Sequence, residues 1–210
     1  MSSSYAILVL LVHGLTIEKR GNAMQHWRHL RSILLLPVTV TLLVPGLLLL
    51  STRSIHIGWG LPSAWQLIPL SGGLLCLAAG LRLLVQTIAL FATQGQGTLA
   101  PWDPPRRLVV RGVYRHVRNP MISGVILILV GESLLLGSGA LVAWCVLVTL
   151  VNMLYIPLLE EPGLEARFGA DYQAYKQHVP RWIPRRDAWD ADRADQQREA
   201  VEPLPPNKPF

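Results

Sequence analysis

Cysteine and metal-ligand motifs are nearly absent from this sequence. Only two cysteines occur in 210 residues, Cys76 and Cys145, and both lie inside apolar runs. We therefore expect neither a disulfide framework nor a nucleophilic thiol. No CxxC or HExxH motif occurs, and His26 and His29, which share a helix face beside an apolar run, are expected at a membrane interface rather than on a metal. The sequence predicts a protein without a metal ion.

Charged residues are also scarce. They make up 15% of the chain against 51% hydrophobic residues, and the mean hydropathy is +0.36, values typical of a membrane protein. The net charge of +6 would suit a nucleic-acid partner. However, the basic residues lie where membrane topology and anionic lipid explain them, so we predict membrane lipid as a partner and no nucleic acid.

Four apolar runs approach the roughly 20 residues that a transmembrane helix needs. They cover residues 33–50, 67–92, 121–136 and 140–159. Gly137-Ser138-Gly139 is too short for anything but the turn of a helical hairpin between the last two runs. The predicted fold class is an all-α integral membrane protein with about four transmembrane helices.

Basic residues set the expected orientation. They concentrate before the first run, in the loop 93–120 and after residue 159, whereas the loop 51–66 contains only Arg53 and the hairpin turn contains none. This distribution predicts that both termini are cytoplasmic, in what we expect to be a bacterial inner membrane.

The chain divides into four predicted parts. Residues 1–32 form a cytoplasmic or interfacial segment, whose apolar run 5–15 is too short for a further span and has no basic region before it. Residues 33–92 contain the first two membrane helices, and residues 93–186 form a core of loop, hairpin and tail helix. Residues 187–210 alternate charges with glutamines and end rich in proline, so we expect a largely disordered tail.

Two polar clusters of opposite sign are predicted to meet at one membrane face. Tyr114, Arg118 and Asn119 precede the third helix, whose N-terminal amides favour an anionic group. Glu160 and Glu161 follow the fourth helix, at a dipole end that is unfavourable for carboxylates unless a cation satisfies them. Pro162-Gly163, directly after them, predicts a helix break. The clusters are typical of a site for a polar ligand. The alternative is an interfacial turn with two solvated acids.

Arg82 is an ionisable residue inside the second apolar run, with Gln86 one turn further on the same face. Such residues are costly in a membrane and suggest a functional role. Glu132 in the third run is the nearest candidate partner, although the topology places it closer to the outer surface. The alternative is that each group is satisfied separately.

An ordered set of short motifs surrounds the hairpin. It runs Gly95-x-Gly97-Thr98, Leu108-Val109-x-x-Gly112-x-Tyr114-x-x-x-Arg118-Asn119-Pro120, Glu160-Glu161-x-x-Leu164-x-x-x-Phe168-Gly169-x-x-Tyr172-x-x-Tyr175 and Pro180-Arg181-Trp182-Ile183-Pro184. Over residues 86–184 this set resembles the isoprenylcysteine carboxyl methyltransferase family and its phospholipid N-methyltransferase relatives. Asn119 stands where the carboxyl methyltransferases usually have histidine.

The resemblance implies a helical membrane enzyme that binds S-adenosylmethionine at its cytoplasmic side and takes a lipid-like or isoprenoid acceptor from the bilayer. It also implies a set of cofactor-binding residues. They are Leu108, Gly112, Tyr114, Arg118, Asn119, Pro120, Glu160, Glu161, Tyr172 and Tyr175.

Two acceptor chemistries are open. A carboxylate acceptor needs only a cation, for which Arg181 or Arg82 are candidates, and the resemblance slightly favours this reaction. An amine acceptor, as in phospholipid N-methylation, must lose a proton, for which Glu161 is the candidate base. Two alternative functions belong to other classes of protein: a membrane reductase that uses NADPH, and a membrane scaffold without activity.

Overall fold

The computed structural model describes residues 36–62, 64–94, 108 and 110–190, and every regular element within these ranges is helical. Within these ranges five α-helices have both ends described, and short π-helical or 3-10 stretches lie between several of them. The α-helices are α1 (Val44–Thr52), α2 (Leu67–Gln94), α3 (Pro120–Leu136), α4 (Gly139–Tyr155) and α5 (Glu161–His178). Predictions for the N-terminal segment, for the loop 95–107 with its Gly95-x-Gly97 motif, and for the tail beyond residue 190 fall outside the described residues.

Three helical stretches are long and apolar enough to cross a membrane: Leu36–Gly60, Leu67–Leu90 and Gly139–His178. The fourth apolar helix, Pro120–Leu136, is shorter; its 17 residues extend about 25 Å at the α-helical rise. Large apolar side chains such as Leu75 lie exposed on the outer surface, where lipid would cover them. The predicted all-helical membrane fold is confirmed.

Helices α2 and α3 pack backbone against backbone through glycines spaced seven residues apart on each helix. A Cβ added to Gly80 would lie 2.7 Å from the carbonyl oxygen of Gly124, and one added to Gly131 would lie 2.8 Å from that of Gly73. Only glycine permits so close an approach, which is a common basis of helix association in membranes. We did not predict this interface, although the repeated spacing is visible in the sequence.

The hairpin between α3 and α4 is as tight as the sequence predicted. Helix α3 ends at Gly137, which is left-handed (φ 56°), and α4 begins at Gly139. The loop after α1 covers this end, because the backbone N–H of His56 donates to the carbonyl oxygen of Leu136 at 2.9 Å.

The helix break expected at Pro162-Gly163 is wrong. A π-helical stretch, Ile156–Glu160, carries α4 into α5, and the N–H of Glu161 donates to the carbonyl oxygen of Ile156. Pro162 comes directly after this stretch, and the changed hydrogen-bond register accommodates a residue that has no N–H to donate. The chain departs from helical geometry later, at Gly169 (φ 53°, ψ −127°).

Candidate functional site

The two predicted polar clusters meet at a single buried carboxylate. Glu161, only 2% exposed, accepts a hydrogen bond from Arg118 Nη1 at 2.8 Å. Arg181 donates to both carboxylate oxygens, from Nε at 2.7 Å and from Nη2 at 2.8 Å. Lys176 Nζ adds an ion pair at 3.5 Å. The loop before α3, the first residue of α5 and the chain after α5 are thereby joined at one point.

These cations keep Glu161 ionised. Burial alone would raise the pKa of this carboxyl, but the hydrogen bonds from Arg181 and the charges of Arg118, Arg181 and Lys176 outweigh it and lower the pKa. The same hydrogen bond to Glu161 raises the pKa of Arg181. A carboxylate with both oxygens engaged and a lowered pKa is a poor proton acceptor, so Glu161 is suited to positioning Arg118.

The backbone around Arg118 places its side chain at the N-terminus of α3. Gly112 (φ 55°) begins a 3-10 turn, Gly112–Arg115, in a left-handed conformation that favours glycine. Arg118 N–H donates to the carbonyl oxygen of Pro180 at 2.9 Å, and Pro120 opens α3. Arg118 Nε is buried and has no hydrogen-bond partner, so one donor remains for a ligand.

Tyr172 and Tyr175 lie near this arginine, and Tyr114 contacts Tyr175. The Tyr175 hydroxyl donates to the carbonyl oxygen of Tyr114 at 2.7 Å, and the rings of Tyr172 and Tyr175 lie 6.1 Å apart. Burial first, then the Glu161 charge, raises the pKa of Tyr172 to about 12, although Arg118 opposes the shift. Burial likewise raises the pKa of Tyr114 and of Tyr175. All three hydroxyls therefore stay protonated at neutral pH.

An apolar cluster supports the tyrosines. Its buried members are Tyr172, Tyr175, Val179 and Trp189, against which Leu108, Val110, Leu164 and Phe168 pack. Leu108 thus packs against the cluster that contains Tyr172 and Tyr175. The cluster offers apolar surface next to the charged group.

Glu160 differs sharply from its neighbour. It is exposed at the end of the π-helical stretch, and its carboxylate makes no hydrogen bond or ion pair with another described residue. Neighbouring groups still displace part of the water around the carboxyl group, and this partial desolvation, followed by the charge of Glu161, raises its pKa. Glu160 is the carboxylate that a ligand can reach.

Arg82 is the predicted site residue that the structure leaves outside this group. It is exposed on α2 and contacts none of the charged residues around Glu161. It forms no ion pair with Glu132 among the described residues, and Glu132 Oε2 is buried without a hydrogen-bond partner.

Asn119 precedes α3 without a side-chain capping hydrogen bond, so its side-chain amide is available at the helix N-terminus.

Sequence reasoning missed Lys176 and Trp189. Trp189 is 8% exposed, although we expected the chain from residue 187 onward to be largely disordered. The available signal was one large aromatic residue in an otherwise charged stretch. No cluster of three histidine, cysteine or acidic residues suited to a metal occurs in the part of the chain that the structure describes.

Comparison with known proteins finds a family match. A family model described as phospholipid methyltransferase matches residues 69–171, from the start of α2 to the middle of α5. No curated protein and no solved structure matches the chain significantly.

Proposed function

We propose that this chain, which over residues 69–171 belongs to the phospholipid methyltransferase family of integral membrane methyltransferases, transfers a methyl group from S-adenosylmethionine to an amphipathic, lipid-like acceptor. One observation carries the proposal. At the end of an apolar bundle, the accessible carboxylate of Glu160 adjoins the carboxylate of Glu161, whose two oxygens already accept hydrogen bonds. Glu161 in turn holds the buried side chain of Arg118, whose Nε has no hydrogen-bond partner.

The chemistry of these residues fits S-adenosylmethionine, which has an ammonium, a sulfonium and a carboxylate. Glu160 would attract a cationic group. Arg118 Nε and the amides at the start of α3 would bind the carboxylate. Leu108 and Val110 offer apolar surface beside the tyrosine hydroxyls. When bound, the cofactor supplies an electrophilic methyl group.

Positioning is the main contribution expected of the protein. Methyl transfer is an in-line displacement, and orientation of the reactants can lower the barrier by roughly 7–11 kcal/mol. Glu161 and Arg181 would keep Arg118 in place, because the three side chains form one hydrogen-bonded unit around the buried Glu161 carboxylate. No covalent intermediate with the protein is needed.

The acceptor would approach through the bilayer. Leu158 and Leu159, directly before Glu160, are 67% and 65% exposed. An acyl or isoprenoid chain packed against these leucines would bring its polar end to Glu160. The exposed apolar surface and the accessible carboxylate are therefore continuous.

The geometry favours an amine acceptor over the carboxylate that the sequence slightly favoured. Arg181 donates from Nε and Nη2 to Glu161, so it is already engaged, and Arg82 lies on α2 outside the charged group. Glu160, whose pKa is raised, is a better proton acceptor than Glu161 for an ammonium. Amine methylation is accordingly the second, more specific candidate.

Ligand titration tests the cofactor. Purified protein in lipid nanodiscs should bind S-adenosylhomocysteine and not NADPH in calorimetry. Binding of NADPH alone would support the reductase, and binding of neither would support a scaffold. A lipid extract incubated with methyl-labelled S-adenosylmethionine should yield a labelled lipid that survives mild alkali, because an N-methyl group survives and a methyl ester hydrolyses.

Glu160→Gln should lower turnover on the order of a hundredfold, the usual contribution of a general base, while the protein stays folded. Asp171→Asn is the matched control, since Asp171 is an exposed acid on α5 outside the charged group. Initial rates and circular dichroism would be measured for both variants. Equal rates in Glu160→Gln and Asp171→Asn would refute the assigned role.

A further inference from the structure

Residues 180–190, here called the clasp, run beside residues 112–119 after α5 has ended. Three backbone hydrogen bonds join the two segments: Arg118 N–H to Pro180 O at 2.9 Å, Arg185 N–H to His116 O at 3.0 Å and Trp189 N–H to Arg115 O at 3.0 Å. The segment 112–119 contains only one short 3-10 turn of its own. Its conformation therefore depends on contacts with the clasp.

Side chains strengthen the far end of this pairing. Arg115 donates from Nε to the carbonyl oxygen of Trp189 at 2.6 Å and from Nη2 to Asp190 Oδ2 at 2.9 Å. His116 Nδ1 lies 2.9 Å from the carbonyl oxygen of Arg185. The clasp is thus held by polar contacts along much of its length.

The Trp189 ring packs the end of the clasp against α5. It lies 5.7 Å from the ring of Tyr175 and stacks on His178 at 5.6 Å with an interplanar angle of 16°. Tyr175 in turn donates its hydroxyl to the carbonyl oxygen of Tyr114. A chain of contacts therefore leads from Trp189 through Tyr175 to the segment that carries Arg118.

We propose that Trp189 is a positioning residue: it locks the clasp onto α5 and thereby holds Tyr114 and Arg118 in the geometry that binds the cofactor. The cofactor part of this inference rests on the proposed function. The ordering of residues 112–119 by the clasp does not. The family match ends at residue 171, so the clasp lies beyond the matched region.

Replacing Trp189 measures this coupling in the full-length protein. Trp189→Ala should weaken the affinity for S-adenosylhomocysteine about threefold to tenfold, the range expected for loss of an aromatic pair. It should also speed hydrogen exchange at residues 112–119. Trp189→Phe should restore most of both properties. Trp65→Ala is the matched control, because Trp65 is 63% exposed on the loop before α2.

Unchanged exchange at 112–119 and unchanged affinity in Trp189→Ala would overturn the proposal, as would equal effects in Trp65→Ala. If Trp189→Ala does not fold, Arg115→Ala removes the two side-chain bonds to the clasp and should speed the same exchange; no change there would overturn it. Should the wild type fail to bind S-adenosylhomocysteine, the proposed function fails, and the exchange measurement still decides whether Trp189 orders residues 112–119.

Discussion

Two regions of the molecule hold helices together by different chemistry. Between α2 and α3 the contact is made by backbone, because the glycines bring carbonyl oxygens to within 2.7–3.0 Å of where a Cβ would be. Where α5 meets residues 112–119, the contact is made by charge, with three cations around Glu161. In hydrocarbon the first kind of contact needs no ionic group, whereas the second belongs where polar ligands can reach it.

The difference predicts distinct sensitivities. The glycine interface should respond to added volume and be indifferent to pH. The charged junction, made by Glu161 with Arg118, Lys176 and Arg181, should tolerate small changes of shape and respond to the loss of a charge. A function that needs a charged ligand at a membrane boundary can use the second region while the first keeps the scaffold rigid.

The largest effect is expected from Glu161→Gln. Removing one partner of a buried ion pair leaves the other charges uncompensated and typically costs about 3–5 kcal/mol. Glu165→Gln is the control, because Glu165 pairs with Lys176 at 2.6 Å on the partly exposed face of α5 and surface pairs contribute about 0–1 kcal/mol. The free energies of unfolding of both variants would be measured in detergent. Equal losses would remove the distinction between a buried and a surface charge.

Gly80→Ala should cost about 1–3 kcal/mol, as is usual for overpacking. The new Cβ would lie 2.7 Å from the carbonyl oxygen of Gly124 and 2.9 Å from the backbone nitrogen of Ile128, so the helices must separate. Gly46→Ala is the control, because nothing lies within 4 Å of that Cβ and alanine favours a helix. Thermal unfolding should separate the two variants; if they melt alike, the close approach is not a determinant of stability.

The smallest effect is a pH dependence confined to the charged junction. Glu161 has a lowered pKa, so its stabilisation is complete above the ordinary carboxyl value of 4.5 and is lost as pH falls through its folded pKa. Glu160 has a raised pKa, so the destabilisation that its ionised form causes is relieved as pH falls.

Stability should therefore hold or rise slightly on mild acidification and then decrease below about pH 4.5, where carboxylates with ordinary pKa values take up protons. The difference in melting temperature between the wild type and Glu161→Gln, measured from pH 7 down to pH 3, should become smaller as the pH falls. A difference that stays constant across this range would contradict the assigned ionisation of Glu161.

Much of the fold was predictable because it depends on local properties. The length of each apolar run and the Gly137-Ser138-Gly139 turn predicted both ends of α3 and the start of α4 to within one residue. The predicted end of α4, residue 159, lies four residues beyond Tyr155, inside the π-helical stretch. The continuous passage from α4 into α5 was not predictable in this way. A π-helical stretch shifts the hydrogen-bond register before Pro162, and proline alone does not signal such a shift.

The sequence by itself determined that this is a helical membrane protein with two oppositely charged clusters, because hydropathy and charge are properties of short segments. Only the tertiary structure decided which glutamate is engaged. Glu160 and Glu161 are adjacent, and successive helical residues point about 100° apart, so packing leaves one accessible and buries the other among cations. The same reason explains why Arg181 rather than Arg82 joins the site and why Trp189 packs beside it: contacts between residues distant in sequence exist only once the chain is folded.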